Sequence, residues 1–567
     1  MSSVNTVGRR ARDRPGLRGY ASAIAGPRLP VVIALAAAAG QIVGLTRYLP
    51  TIVRDLTWDS DWAAPEVIGE RLAAARGTTY VATGVYGFYS TVWFEQATHW
   101  LPNHQVIWLA APVAASAAGI ALLTAAAARA AGAWAAALTL AMTLAASPST
   151  LANLVASASR QPTWFTVCLL GSFAILVAAT RTPTSRPVLV SAVGVGLISG
   201  VNLASDPMMV ALSGVLPLVA AGIVLPLIWG PKGSRPSAPV TVALVLTVAT
   251  AAIATWVARK QSIQTTGLPG GPLAFADLTQ VASNAVLLFR GATDNLDGYF
   301  FGQAVTIWSL LRVACFVLGF ATIAALVARA VKTLRSSRSA VAPLGPIPVG
   351  LVFWSTALIL LSTAFTLSRI PEESSQVRYL VPFFFAAAAG FPLLVAGAGP
   401  RARVALSVVP IVFGLTATHG VRHAAIEHQL VAPFAKELPA LGEFLGSQGL
   451  VHGYGPYWDA NALTWQSGMK VDMVAYDSCA TSPGGSNSPT ICFHLGMTAV
   501  TSRPGPTFVV LDPTFWPQAR LPVNQFGTPR NVYSVARFTV LTYDHDIGAQ
   551  LTPPPGRSPF GQPSALR

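Results

Sequence analysis

Polarity along the chain follows a simple pattern: long apolar runs, rich in Ala, Leu and Val, broken by short polar stretches. Apolar runs of about 18 residues or more predict transmembrane helices. They fall near 29–49, 106–128, 133–156, 162–180, 187–204, 208–229, 238–258, 311–329, 345–367, 379–397 and 402–420. Eleven spans place the N-terminus and the tail on opposite sides of a membrane. Two of the intervening stretches are long, 50–105 and 259–310.

After residue 420 the pattern changes. "FAKELPALGEFLGSQG" predicts a helix ended by glycine, and "GPYWDANALTWQSG" a turn and a short helix. "LVHGY", "KVDMVAY", "TFVVLD" and "ARFTVLTYD" predict short strands. That order predicts a small α/β domain over 421–550. The closing "TPPPGRSPFGQPSALR", within 551–567, has the composition of a disordered tail. In the first long loop, "APEVIGERLAAARG" (64–77) predicts a short amphipathic helix on the membrane surface, with Ser60 or Asp61 as its cap and Pro65 in its first turn. The second long loop reads as irregular because of its Gly and Pro.

Composition fixes the class. The chain is 53% hydrophobic and 10% charged, which excludes an ordinary soluble globule. Charge fixes the orientation. With the N-terminus inside, the inner segments hold 17 Lys and Arg against one acid, Asp13. Basic residues accumulate on the cytoplasmic side. The net charge of +15 is therefore a topology signal and does not indicate nucleic-acid binding. The basic stretch 1–28 reads as a cytoplasmic anchor, and the expected architecture is a polytopic α-helical membrane protein with an extracytoplasmic C-terminal α/β domain. Of four cysteines, Cys168 and Cys315 fall in apolar spans; Cys479 and Cys492 flank a turn-rich loop in the outer tail and read as a disulfide.

Acids are scarce, so their places matter. "LTWDSDWAAPEV" (56–67) sets Asp59 and Asp61 on either side of one serine, just beyond the first span. A helix cap plus a solvated acid is the structural alternative to a functional pair. "YGFYSTVWFEQATHWLPNH" (86–104) places Glu95, His99 and His104 among aromatics. An interfacial aromatic belt accounts for the Trp and Tyr but not for these three residues. Asp206, before Pro207 at a span junction, is either a site residue or the cap of the next span.

This layout resembles the glycosyltransferase C superfamily, and within it the large actinobacterial-type membrane enzymes. The resemblance lies in "WDSD" (58–61) directly after the first span, the surface helix that follows, Asp206 at a later outer junction, and "RYLVP" (378–382) opening a late span. The outer α/β domain with "YGPYWDANALTWQSG" completes it. Some members carry an adjacent Asp-Glu pair; here a serine separates the two acids. The resemblance implies sugar transfer from a polyprenyl phosphate donor to a cell-envelope glycan or glycolipid acceptor outside the membrane, with inversion. Membrane lipids are the surroundings, no cofactor is certain, and a divalent metal is possible. It implies Asp59 or Asp61 as the general base. Asp206, Glu95, His99, Tyr379 and Arg378 would bind substrate, Arg378 meeting the lipid phosphate, with Arg290, Arg259 and Lys260 in reserve. The alternative for these cations is a headgroup contact or an ion pair, such as Arg378 with Glu372 or Glu373.

Two other classes fit the composition: an uncoupled lipid or polysaccharide flippase, and a non-catalytic envelope scaffold. Coupled transport lacks its usual acids near the membrane midplane. Orientation is testable directly. Cysteines introduced at Ser22 and Ser558 should label from opposite sides, and labelling from one side would remove the basis for an outer site.

Overall fold

The computed structural model describes residues 28–58, 60–74, 81–83, 89–155, 161–180, 182–224, 238–260, 264–266, 275–336, 345–369, 378–431, 433–479, 490–493, 497–498, 505–514 and 522–551. Among these, eight helices are long and apolar enough to cross a membrane: Leu29–Leu56, His104–Ala131, Gln161–Ala178, Arg186–Ser205, Val240–Lys260, Ile307–Arg335, Pro346–Leu367 and Pro400–Ile426. A ninth crossing is broken: Ala133–Leu144 and Pro148–Val155 meet at 95°. Pro148 supplies the break, since it has no N–H for the preceding turn. Two shorter apolar helices, Pro207–Gly222 and Arg378–Leu394, occupy the remaining two expected places.

Packing shows that both short helices carry the chain back across. Gly196 and Gly200, four residues apart on Arg186–Ser205, let it pack against Val240–Lys260. A Cβ at Gly196 would lie 2.6 Å from the Thr247 carbonyl, and one at Gly200 would collide with the Ala251 carbonyl. Residue numbers rise together along this contact, so the two helices are parallel and the chain recrosses between them. Ser407, early in the last crossing, donates to the carbonyl of Pro30, at the start of the first helix (3.2 Å). Arg378 and Pro400 therefore lie at opposite ends of the bundle.

The opposite end carries the loops and the tail. Asp55, at the end of the first helix, accepts from Nδ1 of His428, which follows the last (2.9 Å). A three-stranded sheet of order β2-β1-β6 joins three distant parts of the chain. β1 (Val81–Thr83) lies in the first long loop, β2 (Gln264–Thr266) in the second, and β6 (Met497–Thr498) in the tail. The second loop also contains a regular 18-residue helix, Leu278–Asn295, begun by a capping box between Asp277 and Gln280. Its irregularity is thus confined to part of its length. Asn284 on this helix donates to the carbonyls of Thr366 and Ser368, which holds it to the end of a span.

The tail is a six-stranded mixed sheet of order β5-β4-β3-β7-β9-β8. β3 (His452–Pro456) runs parallel to β4 (Asp472–Cys479) on one side and β7 (Thr507–Leu511) on the other. The helix Tyr457–Gln466 makes the crossover from β3 to β4. β5 (Thr490–Phe493), β8 (Asn531–Val535) and β9 (Phe538–Tyr543) add antiparallel. β5 and β8 are beyond the four strands the pattern predicts. Val510, Val540, Phe508, Met473, Leu441 and Leu463 form the core.

The first-loop helix, Ser60–Ala74, departs from expectation. Residues 62–69 are all buried, so over that stretch it has no solvated face. It is packed between the tail and the loop helix Tyr89–Thr98. Pro65 lies inside it, and Ser60 bonds to the tail and not to its own helix. Arg71, read from sequence as part of a polar face, is 7% exposed and bonded to Asp472 of β4 at 2.6 Å. Breaking a buried pair from one side costs about 3–5 kcal/mol, because the remaining charge is stranded. Arg71→Ala should therefore loosen the tail, read as faster amide exchange over 472–479. Unchanged exchange would show that this pair does not hold the tail in place.

Candidate functional site

Ser60–Ala74 carries Trp62, Glu66 and Glu70 at intervals of four, a single stripe along one face. The helix Tyr89–Thr98 brings Glu95, and the membrane helix beginning at His104 brings that imidazole at its first turn. His104 Nε2 lies 3.5 Å from Glu70 and 3.9 Å from Glu66. One ligand atom each from Glu66, Glu95 and His104 fall within 4.8 Å of one another. Glu66 is 1% and Glu95 0% exposed. Among the described residues, neither oxygen of Glu95, nor Oε2 of Glu66, has a hydrogen-bond partner.

With Glu70 beside them, Glu66 and Glu95 are electrostatically unstable as three free anions. Two carboxylates this close repel by about 3 kcal/mol at an effective dielectric constant of about 20. Burial, then the neighbouring charges of Glu95 and Glu70, pushes Glu66 up to about 10. Burial, then Glu70, pushes Glu95 up to about 7. Protons or a cation must therefore neutralise the cluster. Two carboxylates and an imidazole suit Zn²⁺ or Mn²⁺, and the unpartnered oxygens of Glu95 are free to ligate.

Next to the cluster, one helical turn away on the same faces, stand Trp62 and Trp108. Their rings meet edge-on at 6.2 Å, and Trp62 meets Trp465 of the tail at 4.8 Å. All three indoles are buried.

The residues singled out from sequence are distributed as follows. Asp59 lies outside the described residues, and of Asp61 only the backbone, in the first turn of Ser60–Ala74, is described. Glu95 enters the cluster. His99 does not; its Nδ1 pairs with the Gln96 carbonyl of its own helix at 2.9 Å. Asp206 is buried and caps the helix that begins at Pro207, accepting from the Met209 amide at 3.2 Å and from Thr163 at 3.1 Å. Arg378 lies over the ring of Tyr379 at 5.4 Å, and Arg290 over Tyr299 at the same distance. Arg259 and Lys260 end their helix exposed. Glu372 and Glu373 lie outside the described residues. Cys479 and Cys492 lie on neighbouring strands, with Cys492 opposite Asp477; their side chains lie outside what is described. Glu66, Glu70 and His104 were missed as a group. Their signal was the interval of four in Trp62-Glu66-Glu70 beside a histidine that opens an apolar span.

No family model and no curated protein matches the chain. Solved structures similar in fold include the following. ArnT from Cupriavidus metallidurans bound to undecaprenyl phosphate is 13% identical, over 90% of this chain and 99% of that one, with a TM-score of 0.47. The apo form of that protein is 15% identical, over 91% and 100%, with a TM-score of 0.44. The Archaeoglobus fulgidus oligosaccharyltransferase in complex with Zn and sulfate is 13% identical, over 78% and 62%, with a TM-score of 0.40. At these values the likenesses add no argument about activity.

The cluster predicts both a metal response and a pH response. Added Mn²⁺ or Zn²⁺ should raise the thermal midpoint over that in chelator, and Glu95→Gln and His104→Ala should each abolish the rise. With chelator, the folded state binds more protons than the unfolded between pH 4.5 and about 7, because the Glu95 carboxyl is held high. Stability should then be greatest at the acid end of that window and fall as pH rises through it. Glu95→Gln should flatten this slope. A wild-type slope no steeper than that of the variant would rule out the proton uptake at Glu95.

Proposed function

We propose that this chain is a membrane glycosyltransferase that moves a sugar from a polyprenyl phosphate donor to a hydroxyl of a cell-envelope glycan or glycolipid. The observation that carries this reading is the pair of buried carboxylates, three of whose oxygens have no partner among the described residues, where the first loop meets the ends of the membrane helices and the tail. A scaffold has no use for carboxylates desolvated at such cost, and a flippase needs its charges along a path through the bilayer.

The reaction follows from the groups available. The acceptor hydroxyl attacks the anomeric carbon and passes its proton to a first-loop carboxylate, Asp59 or Asp61. The bond from the anomeric carbon to the phosphate oxygen breaks, inverting the centre, and polyprenyl phosphate departs. Arg378, at the start of a membrane helix, would receive that phosphate, and Arg290 is the second choice. Glu66, Glu95 and His104 would hold a divalent cation, which when bound supplies positive charge beside the leaving group. Without the cation, burial and Glu70 push the Glu95 carboxyl up to about 7, where it can exchange protons at physiological pH.

Radiolabelled polyprenyl phosphate pentoses and hexoses, offered to membranes containing the full chain and an envelope glycolipid extract, would test this. At least one donor should give transfer. Losing a general base costs about 10²–10⁴ in rate, whereas Asn caps a helix nearly as well as Asp. Asp59→Asn or Asp61→Asn should therefore lower transfer at least a hundredfold with normal expression. If both retain near-full transfer, the pair is structural and Glu95 becomes the base to test.

A further inference from the structure

The serine between the two acids has a place in the fold that neither acid explains. Ser60 is fully buried. Its hydroxyl donates to the carbonyl of Trp458 at 2.8 Å and accepts from the amide of Ala462 at 3.2 Å. Those two backbone groups are four residues apart on the tail helix Tyr457–Gln466, the pair that an α-helix ordinarily joins to each other. The hydroxyl thus bonds to both ends of one rung in the hydrogen-bond ladder of another element, in its first turn. Contacts on either side repeat the attachment. Gln466 of the same helix bonds to the hydroxyl of Thr57. Trp58 packs on the tail core, and Trp62 packs edge-on against Trp465. One tail helix therefore grips residues 57, 60 and 62, and Asp59 and Asp61 are each one peptide bond from Ser60.

We propose that Ser60 is a positioning residue: by bonding to the helix Tyr457–Gln466 it fixes the backbone that carries Asp59 and Asp61, so the tail domain sets the placement of the acid pair. This rests on the reading of that pair as the acceptor-activating centre. It also explains why a serine separates the acids. An adjacent pair would leave no side chain between them to point into the tail. The hydroxyl is suited to the task because it both donates and accepts, as bonding to both a carbonyl and an amide requires.

The arrangement makes a clean test possible. In Ser60→Ala, Trp458 O and Ala462 N can bond to each other as in any helix, so no buried group is stranded and the protein should still fold. What is lost is the attachment. A displacement of about 1 Å at a reacting group can cost about a hundredfold in rate. Two measurements on the full chain in membranes or detergent separate the parts of the proposal. Amide exchange should rise over 57–63 in Ser60→Ala while 472–479 and 507–511 stay as in wild type; no rise over 57–63 would overturn the attachment. With the donor that gives transfer, kcat should fall at least tenfold with KM within twofold, and Ser60→Thr, which keeps a hydroxyl, should recover most of it. Should Ser60→Ala not accumulate, Gln466→Leu opens the neighbouring bond to Thr57 and should give the same exchange pattern and a smaller fall in kcat.

Wild-type kcat in Ser60→Ala, while Asp59→Asn or Asp61→Asn is inactive, would overturn the positioning role and leave the functional reading intact. If both Asp variants are active, the functional reading itself fails, and the exchange result alone then reports whether the tail holds this stretch.

Discussion

The loop-and-tail end of this molecule depends on the burial of one fifteen-residue helix, Ser60–Ala74. It follows the first membrane helix almost without interruption, yet none of the faces of residues 62–69 remains in water. Such a helix is stable only if other elements cover it on all sides, and here the tail and a second loop helix do so. The cover is specific at both ends. Ser60 bonds to the ladder of a tail helix, and Arg71 pairs with Asp472 where the next tail strand begins.

That burial creates the chemistry. Glu66 and Glu95 would be ordinary solvated acids on an exposed helix, and their carboxyls would titrate in the ordinary range. Enclosed with Glu70 and His104, they are held far above it, and three of their four oxygens have no donors among the described residues. Desolvation of this kind is costly, and a fold retains it where a charge, a proton or a cation is to be handled. The membrane bundle contributes one wall through His104 and Trp108, and the tail closes another through Trp465. The candidate site is thus a junction of three regions far apart in sequence. The small β2-β1-β6 sheet joins the same regions a second time.

Much of this was legible from the chain alone. The apolar runs marked all eleven crossings, because the length of a membrane helix is imposed by the bilayer and by nothing else in the fold. The two that fall short as helices, Pro207–Gly222 and Arg378–Leu394, still lie where the runs placed them. In the tail, alternation and glycine marked the four strands β3, β4, β7 and β9 and the helix between the first two. It missed β5 and β8, an edge strand on each side of the sheet, and the helix Leu278–Asn295, whose polar residues and Gly-rich surroundings masked its apolar face. Glu95 was singled out because an aromatic belt did not explain it. The first-loop helix was located, but its environment was misjudged: Glu66, Glu70 and Arg71 read as a solvated face because local periodicity does not reveal what another domain will cover.

The sequence by itself determined the class of protein, the number and places of its crossings, and the small α/β domain at its end. These depend on local hydrophobicity and strand pattern, properties each segment carries alone. Tertiary structure decided which acids share a site. Glu66, Glu95 and His104 meet only because a loop helix turns back over the end of a membrane helix, and Ser60 meets Trp458 across almost four hundred residues of chain. Contacts at that separation depend on how whole elements dock. Docking is governed by shape and by the satisfaction of buried polar groups, which no local pattern records.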